Sequence, residues 1–213
     1  MNAGAARFVL VTGGTRRLGS AIAGRLRADG WRVITSSSRP GAGADIVADL
    51  SADGAADGLY KAAQALAGGR LDAIVNNAAL FRAPAQALRN VNLRAPSELM
   101  QFAMEDGLRV VNILDTRVLN SGATALDAYS ESKALLRDAT MLFARKSTPS
   151  FRVNAVAPGP VLAPEGVHEK AGRLLAARPT PEDVAAAVAF LLDTPSVTGV
   201  ILPVDAGQHL LKG

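Results

Sequence analysis

Short apolar runs alternate along the chain with longer segments of helical character. The short runs predict buried β-strands, at residues 8–12, 31–36, 44–50, 71–76, 108–114, 151–157 and 199–204. The longer segments predict helices, at residues 18–28, 54–67, 92–105, 125–146 and 181–192. Pro181 suits the first turn of the last helix, where its missing N–H costs nothing.

Strands that are apolar throughout and separated by helices indicate a parallel sheet that is covered on both faces. We therefore predict a single α/β domain over residues 1–213, with a Rossmann-type, doubly wound, three-layer architecture. Ligands of such folds bind at the carboxyl ends of the strands. The irregular stretch 158–180 is a candidate lid over that edge.

Composition narrows the possible chemistry. The chain of 213 residues has no cysteine and only two histidines, His168 and His209, so we expect no disulfide and no metal site. Its net charge is +4, but the basic residues are scattered, so we expect no nucleic-acid partner. The first apolar run, at 8–11, is too short for a signal peptide or membrane span. We expect a cytoplasmic protein that acts on a small molecule.

The first strand runs into a glycine-rich turn, Thr12-Gly-Gly-Thr-Arg-Arg-Leu-Gly19. Glycines allow the backbone to approach a diphosphate, and the N–H groups and dipole of the following helix favour negative charge there. The predicted phosphate contacts are Gly13, Thr15, Arg16, Arg17 and Leu18. Glycines also occur in such turns for purely steric reasons, so this feature alone leaves both interpretations open.

The end of the second strand indicates which nicotinamide cofactor binds. NAD sites place an acidic side chain here to bind the ribose 2′-hydroxyl, but no acid lies between Asp29 and Asp45. The strand ends instead in Ser37, Ser38 and Arg39, and a guanidinium can hold a 2′-phosphate. We predict NADP(H); the alternative is that Arg39 is a solvated loop residue.

Tyr129 and Lys133 lie four residues apart in a predicted helix and therefore share one face. An ammonium near a phenol lowers the phenol pKa, so we expect Tyr129 to pass a proton to a substrate. The spacing alone is common. It gains weight because the chain has only one other tyrosine, Tyr60, and because the pair follows the fifth strand.

With the turn, the Asn76-Asn77-Ala78 segment, Asn92 and the Tyr129/Lys133 pair in this order, the chain resembles a short-chain dehydrogenase/reductase from about Phe8 to Leu210. Members of that family transfer hydride between NAD(P)(H) and a carbonyl or imine carbon. The resemblance implies that Asn92 holds a water linked to Lys133. It implies cofactor contacts at Asn76, Asn77, Ala78, Asp49, Leu50, Pro158 and Gly159. Asn76, Asn92 and Asp49 could instead be turn or cap residues.

Two departures from the family pattern suggest a branch. Arg17 replaces the middle glycine of the turn, and Asp115 stands near the position of the usual catalytic serine. Both changes resemble the pteridine reductase and dihydromonapterin reductase branch, as does the Val204-Asp-Ala-Gly207 ending, where Ala206 replaces a usual glycine. An ionised aspartate cannot donate to a ketone, but it can pair with a basic ring or with the tyrosine. Alternatively, Thr116 supplies the hydroxyl and Asp115 is structural.

We predict an NADPH-dependent enzyme that reduces the C=N bond of a pterin by hydride transfer. Its substrate contacts would be Arg17, Phe81, Asp115 and Tyr129, and Phe81 would stack on the ring unless it is plain core packing. The alternatives are a ketoreductase for a 3-oxoacyl thioester or small ketone, and a non-catalytic NADP(H) sensor. The resemblance also implies a homo-oligomer, a tetramer or dimer, packed through the helices at 92–105 and 125–146.

Overall fold

Seven parallel strands form one sheet in the computed structural model, which describes residues 6–119, 127–161 and 172–211. The strands are β1 (Arg7–Val11), β2 (Trp31–Ser37), β3 (Ile46–Val47), β4 (Leu71–Asn76), β5 (Arg109–Ile113), β6 (Arg152–Pro158) and β7 (Ile201–Val204). Their order across the sheet is β3-β2-β1-β4-β5-β6-β7. The strand order reverses between β1 and β4, and this switch point is where doubly wound folds bind their ligands.

Helices cover both faces of the sheet. They are α1 (Arg17–Ala28), α2 (Ala55–Leu66), α3 (Ala85–Arg89), α4 (Ala95–Asp106), α5 (Ala128–Ala144) and α6 (Pro181–Asp193). A π-helical turn, Asn90–Arg94, joins α3 to α4, and two 3₁₀ turns lie at Thr116–Val118 and Gln208–Leu211. One core cluster holds residues of α1 and α6, and the other holds residues of α2, α4 and α5. The predicted three-layer, Rossmann-type architecture is confirmed.

The boundaries differ from the sequence prediction mainly before α4. Helical structure begins at Ala85 rather than at residue 92, because α3 and the π-helical turn continue directly into α4. The third strand is also shorter than predicted, with only two residues.

Two helix starts have side-chain caps. Thr180 and Asp183 form a capping box at the start of α6, next to Pro181. At the start of α5, the Asp127 carboxylate accepts from the Ser130 N–H at 2.7 Å. Part of the helix predicted at 125–146 lies outside the described residues. In the described part of the chain, no helix is long and apolar enough to cross a membrane.

Candidate active site

The glycine-rich turn is packed so tightly against its neighbours that its glycines have no room for side chains. A Cβ on Gly19 would lie 2.1 Å from the Gly13 carbonyl oxygen, and one on Gly14 would lie 2.8 Å from Thr35 Cγ2. Gly13 has a φ of +62° and packs against Ala78. These glycines therefore let the turn pack tightly against β2 and the end of β4 at the start of α1, whose N–H groups and dipole favour a negatively charged ligand.

Asn77 and Thr12 join this turn to the end of β4. The Asn77 amide donates to the Thr12 and Gly13 carbonyls at 2.9 and 3.1 Å. The Thr12 hydroxyl in turn accepts from the backbone N–H groups of Asn77 and Ala78, each at 3.0 Å. These bonds hold the two sides of the switch point together and place Asn77 and Ala78 beside the glycine-rich turn.

Asn76 lies differently from its neighbour. Its side chain is buried in the sheet, where the amide donates to Asn112 Oδ1 at 2.8 Å. Asn112 continues the chain of bonds to the Thr140 hydroxyl at 2.8 Å. Side chains alternate between the faces of a strand. The Asn76 amide therefore lies in the buried network that runs through Asn112 to Thr140 of α5, and it is Asn77 that contacts the turn.

Three arginines surround the turn. Arg16, Arg17 and Arg39 are exposed, and within the described ranges none of their guanidinium groups is ion-paired. Arg17 has a φ of +50°, a region that side chains rarely occupy. This is a backbone conformation that glycine adopts readily. Thr15, which precedes Arg16, and Leu18, which follows Arg17, are half-buried.

The end of β2 itself carries hydroxyl groups and a guanidinium, and no acidic side chain. Asp45 folds back beside β2, but its carboxylate accepts from the N–H and the hydroxyl of Thr35, both at 2.7 Å. Ser37 is half-buried, and its hydroxyl accepts from the Arg39 N–H at 3.1 Å. Ser38 is exposed. Hydroxyls and a guanidinium thus remain to meet a ligand, which favours a phosphate over a ribose hydroxyl.

The segment predicted to flank adenine is ordered by its own contacts. The Asp49 carboxylate accepts from the N–H and hydroxyl of Ser51 at 3.0 and 2.8 Å, and these bonds lower the pKa of Asp49. The Leu50 side chain is buried in the core. Leu50 can therefore offer a ligand only its backbone.

Tyr129 and Asp115 meet at the carboxyl end of β5. The Tyr129 hydroxyl donates to Asp115 Oδ2 at 3.2 Å, and the ring packs edge-on against Phe81 with centroids 4.9 Å apart. Phe81 is largely exposed and is available to a ligand. Burial and the Asp115 charge raise the pKa of Tyr129 well above its ordinary value. The expected lowering by Lys133 is therefore wrong for this arrangement, because the carboxylate is the charge beside the phenol.

Lys133 is buried one helical turn from Tyr129. Its ammonium donates to the Ile113 carbonyl at 2.7 Å. Burial lowers the pKa of Lys133 to about 8, against an opposing effect of Asp115. Lys133 can therefore gain or lose a proton near neutral pH.

Asn92 lies in the π-helical turn and is completely buried. Its amide donates to the Leu80 carbonyl at 2.9 Å and to the Ser132 hydroxyl at 3.0 Å, and its oxygen accepts from the Leu80 N–H. Asn92 thus joins the segment after β4 to α5, the helix that carries Tyr129. Its contact with a water molecule stays a prediction.

Asp115, and not Thr116, faces the tyrosine. The Thr116 hydroxyl donates to Asp205 Oδ2 at 2.5 Å. At the end of β6, Pro158 and Gly159 lie beside the same aspartate, since a Cβ on Gly159 would be 2.8 Å from Asp205 Cβ. Asp205 was not among the predicted site residues, because 89 positions separate it from Thr116.

Arg117 is a second site residue that the sequence analysis missed. Its guanidinium carbon lies 5.3 Å from the centre of the Phe81 ring and 5.7 Å from that of Tyr129. Its position two residues after Asp115 is the only sequence signal. Among the described residues, no group of three acidic or histidine side chains could hold a metal ion. His168 lies outside the described residues.

The doubly wound sheet, the glycine-lined turn at its switch point and the buried Tyr129/Lys133 pair define a dinucleotide-binding oxidoreductase. A family model described as Enoyl-(Acyl carrier protein) reductase matches residues 14–209. The chain belongs to the short-chain dehydrogenase/reductase family.

Relatives and a solved structure extend this likeness over nearly the whole chain. Dihydromonapterin reductase of Klebsiella pneumoniae is 30% identical over 96% of this chain and 97% of its own length. A Streptomyces violaceoruber protein, named as ketoacyl reductase 2 of the granaticin polyketide synthase, is 31% identical over 97% of both chains. FolM alternative dihydrofolate reductase 1 of Brucella canis, solved with NADP, is 33% identical with a TM-score of 0.82, over 96% of this chain and 94% of that one.

Proposed function

We propose that this chain is an NADPH-dependent reductase that reduces the C=N bond of a pterin, such as a dihydropterin or dihydrofolate. The observation that carries the proposal is the pairing of Tyr129 with Asp115 at 3.2 Å, beside the exposed ring of Phe81. A carboxylate at this position can bind the N–H groups of a pterin, which a ketone lacks. Relatives named for pterin reduction support the same substrate class.

The residues of the turn fit NADP(H). The tightly packed glycines shape the turn at the start of α1, where helix N–H groups and the helix dipole favour a diphosphate. Arg16 and Arg17 of this turn, and Arg39 after β2, have no ion pair among the described residues. The carboxylate of Asp45 accepts two hydrogen bonds from Thr35, which hold it at that residue rather than at Arg39. We assign the 2′-phosphate to Ser37, Ser38 and Arg39, and the diphosphate to Gly13, Thr15, Arg16, Arg17 and Leu18.

The chain's own residues would position the substrate and supply the proton. The bound cofactor supplies a hydride to the C=N carbon, and the ring nitrogen takes a proton from Tyr129. Burial and Asp115 keep that tyrosine protonated, so it is ready to donate. Lys133 would return a proton to Tyr129, resupplied from solvent through a water that Asn92 holds. Phe81 would stack on the ring, and Arg17 would bind its polar edge.

Ketone reduction is the competing function, because one relative is named as a ketoacyl reductase. The experiment follows NADPH oxidation with 7,8-dihydromonapterin, dihydrofolate or an acetoacetyl thioester, using Tyr129→Phe as the control. Consumption with the pterins alone, and its loss in the variant, would support the proposal. Consumption with the thioester alone would replace pterin reduction by ketone reduction. NADPH binding without turnover of any of them would favour the sensor.

We also propose that the enzyme is a homo-oligomer, a tetramer or dimer that packs through α4 and α5. Leu135 and Leu142 of α5 are 40% and 53% exposed, and their spacing of seven residues places both on one face of the helix, where a second copy could cover them. Light scattering of wild type and Leu142→Glu tests this, because a charge at a packed face would dissociate it. A cytoplasmic location stays a prediction from the sequence.

A further inference from the structure

Asp205 is a buried carboxylate at the end of β7 that the proposed chemistry does not use. It is only 4% exposed. It accepts from the Thr116 hydroxyl at 2.5 Å and from the backbone N–H groups of Gly207 and His209 at 3.0 and 2.8 Å. The His209 ring nitrogen Nδ1 lies 2.9 Å from the same carboxylate. Burying a charge is costly unless it is fully hydrogen-bonded, and these contacts meet that condition.

The carboxylate stays charged in this setting. Burial would raise the pKa of Asp205, but the hydrogen bonds from Thr116 and His209 outweigh burial and lower it. A hydroxyl bound to an ionised carboxylate forms a short, strong hydrogen bond. The Thr116–Asp205 contact is therefore a firm link between the end of β5 and the C-terminal segment.

The Thr116–Asp205 hydrogen bond lies between two parts of the proposed site, the Asp115–Tyr129 contact and the turn at Pro158 and Gly159. Thr116 directly follows Asp115, whose carboxylate accepts from the Tyr129 hydroxyl. On its other side, Asp205 packs against Gly159, where a Cβ would lie 2.9 Å from Asp205 Cα. One residue thus touches the turn beside the acid–base pair and also the turn that ends β6.

We propose that Asp205 is a positioning residue that, through Thr116, holds Asp115 against Tyr129 and keeps this pair in register with the Pro158–Gly159 turn. The proposal adds a residue to the function proposed above and rests on it for its kinetic consequence. The geometric consequence is independent of any substrate or cofactor.

The experiment compares Thr116→Val, which removes only the hydroxyl, with Asp205→Asn and with Thr116→Ser, which restores a hydroxyl. Thr140→Val is the matched control, because Thr140 is also a buried, hydrogen-bonded threonine but lies in the Asn76–Asn112 network. The first readout is the ¹³C resonance of the phenol carbon of Tyr129. It is assigned in a Tyr60→Phe background, where Tyr129 is the only tyrosine, with Asp115→Asn as the reference for loss of the neighbouring negative charge.

We expect Thr116→Val and Asp205→Asn to move this resonance towards that of Asp115→Asn, while Thr116→Ser and Thr140→Val leave it in place. In turnover, we expect kcat of Thr116→Val and of Asp205→Asn to fall about 10- to 100-fold with a small change in KM, because placement of the proton donor affects the chemical step. An unchanged resonance in folded Thr116→Val and Asp205→Asn would overturn the proposal, as would an equal shift in Thr140→Val. A shifted resonance in a protein that reduces no pterin would support the positioning role and reject only the function.

Discussion

The hydroxyl of Tyr129 donates to the carboxylate of Asp115 across 3.2 Å, so the proton donor of this site lies beside a negative charge. A neighbouring anion disfavours the phenolate, and burial acts in the same direction. The phenol is therefore protonated over the whole physiological range, as reduction of a substrate requires.

Asp115→Asn is predicted to lower the pKa of Tyr129 because it removes the charge that raises it. The active form carries the proton, so the alkaline limb of the kcat profile should move to lower pH, and kcat should fall about 10- to 100-fold. The measurement is the pH dependence of pterin reduction. Asp127→Asn is the control, since asparagine also caps a helix and Asp127 affects the tyrosine less than Asp115 does. An alkaline limb that stays in place in Asp115→Asn would contradict this account.

Lys133→Met is predicted to stabilise the fold while abolishing turnover. Folding lowers the pKa of Lys133 to about 8, so at neutral pH the buried ammonium opposes folding, and its removal should add about 1–3 kcal/mol. Between about pH 8 and pH 10 the unfolded chain binds more protons than the folded one at this group, so wild-type stability rises with pH. The gain of the variant should therefore shrink over that range.

Urea unfolding at several pH values tests the Lys133 prediction. Lys61→Met is the control, since Lys61 is exposed and pairs with Asp57 on the surface. Equal gains for both variants, or a gain that does not change with pH, would show that burial of Lys133 is not the cause.

Arg17→Gly is predicted to weaken NADPH binding while raising stability. Arg17 has a φ of +50°, which costs an ordinary residue about 1 kcal/mol and costs glycine little. Ala206→Gly is the matched control, since Ala206 has a φ of +55° and no charge. The midpoint temperature of thermal unfolding should rise in both variants, whereas fluorescence titration should show weaker NADPH binding only in Arg17→Gly. Unchanged affinity there would remove Arg17 from the cofactor site.

Gly19→Ala is predicted to destroy the phosphate turn, because its Cβ would lie 2.1 Å from the Gly13 carbonyl oxygen. Backbone atoms must move to relieve this contact, so we expect at least a tenfold loss of NADPH affinity and about 2 kcal/mol of stability. Gly24→Ala lies in the same helix with no atom near its Cβ. It should stabilise the protein by about 0.5–1 kcal/mol and leave binding intact. Similar behaviour of the two variants would contradict the steric argument.

Local patterns were sufficient to predict the architecture. The apolar runs predicted all seven strands of the described sheet, and Pro181 marked the start of α6, because these signals depend on neighbouring residues. The helical structure from Ala85 was missed, since its start has no side-chain cap and its first residues are mostly exposed. Strand ends were the weakest predictions, as the two-residue β3 shows.

The sequence named candidate residues for the site, but it could not give the contacts between them. The strand pattern predicted that Asn76 and Asn77 lie at the end of β4, but it could not show that only Asn77 contacts the turn. It could not show that the Thr116 hydroxyl is bound by Asp205, because that contact joins residues 89 positions apart. It also assigned the wrong direction to the pKa of Tyr129, since that direction depends on burial and on which charge is nearest.

The π-helical turn at Asn90–Arg94 sets how many residues this part of the chain needs. A π turn contains one residue more than an α-helical turn in the same place. Deleting one residue there would produce an unbroken α-helix, but it would rotate α3 about 100° around the axis of α4. Leu88 would then leave the core, and the contact of Asn92 with Leu80 would be lost. The more regular helix would therefore give the less functional protein, so the extra residue of the π-helical turn has to be kept.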